Sequence, residues 1–160
     1  MAETGTQLYR AVQNSAFEAF TLGEYPGDGV LYPRFVSSPY TDRNGQTRTS
    51  RRDVKYDHDG NVIPGGGTSM HDCEGWFGFA NWRYFWIPLG TEIPASLKIT
   101  GGGEATTNAS GRVTGRHYQI EPLAPMTVSA LKGALDNLVR NGIVKQVKKA
   151  DTKEKAEEKS

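Results

Sequence analysis

Between Val128 and Val147 the apolar residues Val128, Leu131, Leu135, Leu138, Val139, Ile143 and Val147 recur at spacings of three, four and one. That period marks one long amphipathic helix at the end of the chain. Pro125 suits its entry, Thr127 or Ser129 its cap, and Lys145, Lys148 and Lys149 the negative end of its dipole. Gly133 and Gly142 each weaken it by about 1 kcal/mol unless a neighbour packs closely there. DTKEKAEEKS, with Ala156 its single apolar residue, reads as a frayed helix extension or a disordered tail. The expected division is therefore one domain over 1–149 and a charged tail over 150–160.

Ahead of the helix the patterns are short. Gln7 to Val12 alternates and reads as a first strand, and Ser15 to Leu22 suits a short helix. Val30 to Val36 makes a poor central strand because Pro33 has no N–H to give to a ladder. Ser37 to Gly67 is a polar stretch rich in turn signals, with Asp59-Gly60 as its hairpin signal. Gly75 to Ile87 is so dense in aromatic residues that it must be core or pocket wall. Leu97 to Thr100 reads as a strand, Gly101 to Gly115 as a loop, and His117 to Ile120 as a strand stopped at Pro122.

Charge and cysteine content exclude several classes. Nineteen basic residues against eighteen acidic ones leave no global field toward nucleic acid or an anionic membrane. Cys73 is the single cysteine, so no internal disulfide forms and a reducing compartment is tolerated. MAETGTQLYRAVQ lacks the basic start and apolar centre of a secretory signal, and no apolar run reaches membrane-spanning length. The expected place of action is cytoplasm, in the producer or in an intoxicated cell, with any export independent of a cleaved signal.

Five segments together narrow the field: LYRAV (Leu8 to Val12), GGTS (Gly66 to Ser69), WIPLGTEIPASLKI (Trp86 to Ile99), HYQIEPLAPM (His117 to Met126) and LDNLVRNGIVKQ (Leu135 to Gln146). In this order and spacing the chain resembles the small NAD-dependent effector toxins delivered by bacterial type VI secretion, which have fungal relatives as well. The likeness covers the first strand and most of the chain from about Gly60 to Gln146, but not Asn14 to Asp59 or the charged tail. It implies an α+β fold of ADP-ribosyltransferase type, with split β-sheet half-barrels and a long C-terminal helix. It also implies a cytotoxic effector, NAD as the cofactor consumed, and a cognate immunity protein blocking the cleft. The reaction implied is ADP-ribosyl transfer to an unidentified target, or NAD hydrolysis.

Cleaving the nicotinamide–ribose bond needs an anchor for the diphosphate, hydroxyls for the ribose, a ring to stack on nicotinamide and support for a cationic sugar. Arg10, on the first strand, matches the Arg that such enzymes place there, and its guanidinium can fork onto phosphate or ribose oxygens. Pairing with a surface carboxylate is the commoner fate of an Arg. Thr68 and Ser69 follow three glycines, so the backbone can approach a ligand closely while the hydroxyls hold ribose. A plain loop-to-strand turn is the alternative. Tyr9, Tyr84, Phe85 and Trp86 can stack on a base, Tyr9 foremost, although most such aromatics are core. His117 and Tyr118 flank the expected cleft, where His117 bonds a ribose hydroxyl or shuttles a proton, unless it is bonded structurally to a backbone carbonyl. The catalytic set implied is Arg10, Ser69 and Glu121, with Glu104 as a second acid.

Met70-His71-Asp72-Cys73-Glu74 resembles half of a metal site, but no second cluster of suitable spacing completes four-coordination. No metal is expected, and Cys73 is expected to be a buried cysteine beside a polar turn rather than a nucleophile. Two other classes fit parts of the pattern. His117 and Arg116 with a carboxylate could serve a metal-independent ribonuclease, and Trp76, Trp82 and Trp86 could line a non-enzymatic peptide or glycan site.

Overall fold

A computed structural model describes residues 2–13, 17, 20–73, 82–103, 106–107 and 113–158. The chain opens on β1 (Leu8–Gln13) and passes through two ribbons, β2 (Ser38–Thr41) with β3 (Thr47–Ser50) and β4 (Lys55–Tyr56) with β5 (Val62–Ile63). There follow β6 (Thr68–His71), β7 (Trp82–Ile87), β8 (Leu97–Gly101), the ribbon β9 (Thr106–Thr107) with β10 (Val113–Gly115), β11 (His117–Pro122) and the helix α1 (Val128–Glu158).

The central sheet has the order β7-β1-β6-β11-β8 and every pairing in it is antiparallel. It is built as two half-sheets. β1 pairs with β7 along its whole length, from Leu8 opposite Ile87 to Gln13 opposite Trp82. β11 pairs with β6 from His117 opposite His71 to Ile120 opposite Thr68, and with β8 from Tyr118 opposite Gly101 to Pro122 opposite Leu97. The halves join at one position, Tyr9 opposite His71. Split sheet and terminal helix together give the α+β architecture that the resemblance implies.

Strand alternation puts Leu8, Met70, Phe85, Ile87, Leu97 and Ile120 on one face, and all six are buried. Leu131, Leu135, Leu138 and Val139 of α1 are buried in the same cluster, and a Cβ at Gly142 would sit 3.7 Å from Ile87. Thr127 caps the helix, its hydroxyl accepting from the Ala130 amide at 3.1 Å. The apolar stripe stays inside only for its first turns, since Val147 is half exposed. Two buried polar side chains tie the helix to its cover. Asp136 accepts from the Tyr32 hydroxyl at 2.6 Å and the Gly29 amide at 3.2 Å. Gln146 donates to the Trp86 carbonyl on the sheet edge and accepts from the Gly23 amide.

The glycine triplet has a different use from the one the sequence suggests. A Cβ on Gly67 would lie 1.9 Å from the Ile120 carbonyl oxygen, and one on Gly66 would lie 2.5 Å from the Asp53 carbonyl oxygen. The close approach is of backbone to backbone, drawing β6 onto β11 and the 53–54 segment, rather than of backbone to ligand.

Several boundaries also differ. The Asp59-Gly60 signal does mark a hairpin, β4–β5, with Gly60 at a φ of +81°. A second ribbon, β2–β3, arises where the sequence shows only a polar stretch. Its strands are solvent-facing on both sides, so no apolar alternation announces them. β9 and β10 lie within the expected glycine-rich loop, and β11 runs on through Pro122. Val30 to Val36 forms no strand, yet Val30 and Leu31 are fully buried. Half of the short helix expected over Ser15 to Leu22 falls outside the described residues, and Phe17 and Phe20 to Leu22, which are described, are not helical, with Leu22 in a turn. No helix among the described residues is long and apolar enough to cross a membrane.

Candidate active site

Past the Tyr9–His71 pair, β1 and β6 part company. Ala11 to Gln13 pair only with β7, and Thr68 and Ser69 only with β11. A split of this kind leaves ladder groups on the β1 side of β6 in need of partners. Arg10 supplies one. Its Nη1 donates to the Ser69 carbonyl at 3.0 Å and its Nη2 to the Tyr32 carbonyl at 3.3 Å, so one guanidinium spans both half-sheets and the segment beside them. The Nε is buried without a partner. Burial lowers the Arg10 pKa, Asp53 opposes that and Arg34 adds to it, but a guanidinium remains charged at any ordinary pH. The result is a cation at the split with donors to spare.

Register and alternation sort the other candidates by face. Tyr9, Ser69, His71, His117 and Gln119 share one face, because Tyr9 lies opposite His71, His71 opposite His117 and Ser69 opposite Gln119. Arg10, Thr68 and Tyr118 belong to the other face. There the Thr68 hydroxyl donates to the Leu31 carbonyl at 2.5 Å, and Tyr118 lines a cavity of about 300 Å³ with Leu8, Ile99 and Gly101. Arg10 therefore meets Ser69 through its backbone at the split, while the Ser69 hydroxyl sits with Tyr9 and His117. The guanidinium and the two hydroxyls do not converge as side chains on one point.

His71 and His117 stack edge to face with ring centroids 5.2 Å apart. Burial pushes the His71 pKa down to about 4, with further lowering from His117 and Arg10 against an opposing pull from Asp72. Burial lowers His117 too. Both imidazoles are thus neutral near pH 7, and neutral rings can accept a proton or a hydrogen bond.

Glu121 lies on the same face, two residues beyond Gln119 on β11, with its Cα against Gly67. Burial pushes its carboxyl up, but hydrogen bonds from Gln119, Thr100, Lys98 and Gly65 outweigh that and hold it below the usual carboxylate range. One oxygen takes the Gly65 amide at 3.2 Å and Lys98 Nζ at 3.3 Å. The other takes Thr100 Oγ1 at 2.9 Å and Gln119 Nε2 at 2.8 Å. It braces the glycine triplet against β8 and β11. Glu104 lies outside the described residues.

Of the aromatic candidates, Phe85 is core, Tyr84 is half-buried opposite Ala11, and Trp86 lies opposite Tyr9 with its Nε1 buried and unbonded. Trp76 and the Trp82 side chain fall outside the described residues. Asp72 accepts from the Arg116 amide at 2.7 Å, closing the turn beside Cys73, which is half-buried rather than buried as the sequence suggests. Among the described residues no three His, Cys, Asp or Glu side chains are grouped to hold a metal. The sequence alone did not place His71 and Gln119 on the face of Tyr9 and Ser69. Counting two positions from Ser69 along a strand would have put His71 on the same face.

Residues 6–147 match the Tse2 ADP-ribosyltransferase toxin family. The chain is also 39% identical to toxin Tse2 of Pseudomonas aeruginosa over 160 positions, an alignment that spans 92% of this chain and 94% of that protein. With an Arg on the first strand, a Thr-Ser pair across a split sheet and a long closing helix, the chain belongs to the Tse2 ADP-ribosyltransferase toxin family.

Proposed function

We propose that this toxin binds NAD at the split between β1 and β6 and transfers its ADP-ribose to a target in the cytosol of an intoxicated cell. The observation that carries this is Arg10, held to the Ser69 carbonyl across the split while its Nε stays buried and unbonded. A diphosphate oxygen is the kind of acceptor that would complete such a guanidinium. On the adjoining face Tyr9 stacks on nicotinamide, the Ser69 hydroxyl and His117 hold the ribose, and Thr68 fixes β6 from behind through Leu31. Tyr118, on the Arg10 face, flanks the split from a neighbouring cavity that it lines with Leu8, Ile99 and Gly101.

In the reaction the bond between ribose C1′ and nicotinamide breaks, and its electron pair leaves with nicotinamide. The acceptor oxygen or nitrogen bonds to C1′ and loses its proton. His117, neutral at pH 7, can take that proton, since four donors already occupy the Glu121 carboxylate. With water as acceptor the same cleft hydrolyses NAD. A cognate immunity protein would neutralise the toxin by covering the split, and no metal enters the scheme.

Growth after cytosolic expression tests the reading. Ser69→Ala and Arg10→Lys should each relieve growth arrest, the second because an ammonium keeps the charge and loses the fork. Circular dichroism on the purified variants shows that they are folded. Unabated toxicity of both folded variants would overturn the assignment.

A further inference from the structure

The near-neutral balance of the whole chain conceals a segregation. Residues 34–52 hold five cations, Arg34, Arg43, Arg48, Arg51 and Arg52, against the single carboxylate of Asp42, while the remainder holds fourteen cations against seventeen carboxylates. All five are arginine, half of the chain's ten, and no lysine lies among them. A surface kept polar for solubility alone has no need of that choice, whereas the planar guanidinium fork matches phosphate oxygens.

Arg43 and Arg48 lie on the exposed β2–β3 ribbon, and Arg34, Arg51 and Arg52 flank its base. β2 and β3 are solvent-facing almost throughout. Tyr40, 48% exposed, lies directly across from Arg48, so an aromatic face and a guanidinium stand side by side. Arg48 meets Asp42 and still keeps a largely exposed side chain. Arg43 and Arg51 enter no ion pair among the described residues. The foot of the ribbon is tied to the split. Arg34 Nη1 donates to the Arg51 carbonyl at 3.3 Å and the Arg34 amide to Asp53 at 2.7 Å, two residues from the Tyr32 carbonyl that Arg10 holds.

We infer that the β2–β3 ribbon docks single-stranded RNA and presents it to the split as the acceptor of ADP-ribose; the acceptor half rests on the NAD reading above. Exposed arginines beside a free aromatic ring suit a phosphodiester backbone with an unpaired base stacked on Tyr40. A duplex offers no unpaired base, and an acidic peptide offers neither the phosphate geometry nor the base. In the transfer an RNA hydroxyl oxygen bonds to ribose C1′ as the C1′–N bond to nicotinamide breaks. The bonding pair leaves with nicotinamide and the hydroxyl proton passes to His117.

The test uses the full chain and a fluorescein-labelled RNA dodecamer, with a DNA duplex of the same sequence and polyglutamate as comparators. If four arginines each engage a phosphate, affinity for RNA should fall about fifty-fold between about 50 and 200 mM salt. Arg43→Glu with Arg51→Glu should cut that drop to about sevenfold, and Tyr40→Ser should weaken RNA binding by about tenfold. Equal affinity for polyglutamate or for the duplex, or a double variant that binds as the wild type does, overturns the docking surface. With labelled NAD present, label should reach RNA in the wild type and not in the double variant, while the double variant still releases nicotinamide. Release of nicotinamide without label on RNA overturns the acceptor assignment. Absence of any nicotinamide release overturns the NAD reading and leaves the docking surface to its binding curves.

Discussion

His71 is nearly enclosed, and its neighbours keep it neutral well below the pH at which a free imidazole charges. Its folded-state pKa near 4 lies beneath the ordinary 6.5, so the unfolded chain binds the proton first. The resulting stability is fully present above about pH 6.5 and declines as pH falls toward 4, by up to about 3 kcal/mol. Urea midpoints measured across that window should slope in the wild type and flatten in His71→Phe; identical slopes would count against a buried neutral ring. Glu121 makes the opposite point about a predicted role. Its depressed pKa gives stability that is present above the unfolded carboxyl value and lost as pH drops through the lower folded one. Glu121→Gln should therefore destabilise the fold by about 1–3 kcal/mol, read by the same urea titration. A variant of native stability that has lost all NAD cleavage would instead make Glu121 the catalytic acid. That Arg10 and Ser69 lie close together was legible, because strand position and neighbouring motif both single them out, and the structure joins them by a hydrogen bond. The bonding of Glu121 was not legible, since it depends on four donors, three of them on or beside other strands.

The elements carry their own tests. α1 was legible over its first twenty residues, because a period of three and four there has one reading, while its charged continuation to Glu158 left helix and disorder both open. Its two glycines differ in a way only packing reveals. Nothing lies within 4 Å of a Cβ built at Gly133, whereas Gly142 already faces Ile87. Gly133→Ala should raise stability by about 0.5–1 kcal/mol, seen as a higher thermal midpoint, and a lower midpoint would show a contact missing from this account. Gln146→Leu should cost about 1–3 kcal/mol for each group it orphans, the Gly23 amide and the Trp86 carbonyl. The ribbon β2–β3 escaped notice for the converse reason. A strand that buries neither face has no hydrophobic alternation to read, and its turn at Asp42 to Gly45 rests on side-chain-to-backbone bonds.

For the molecule as a whole, the decisive feature is a sheet joined at one pair and bridged by one guanidinium. No local pattern announces that join, because it depends on which strands of distant sequence become neighbours. Family membership places an ADP-ribosyltransferase toxin on this frame, and the split is where we propose its chemistry. The most direct measurement is to incubate the purified chain and its Arg10→Ala variant, shown folded by circular dichroism, with NAD labelled in the adenylate half plus a target-cell lysate. The account predicts nicotinamide release with label on macromolecules for the wild type, and neither for the variant. Equal release by both proteins, or none by the wild type, would contradict it.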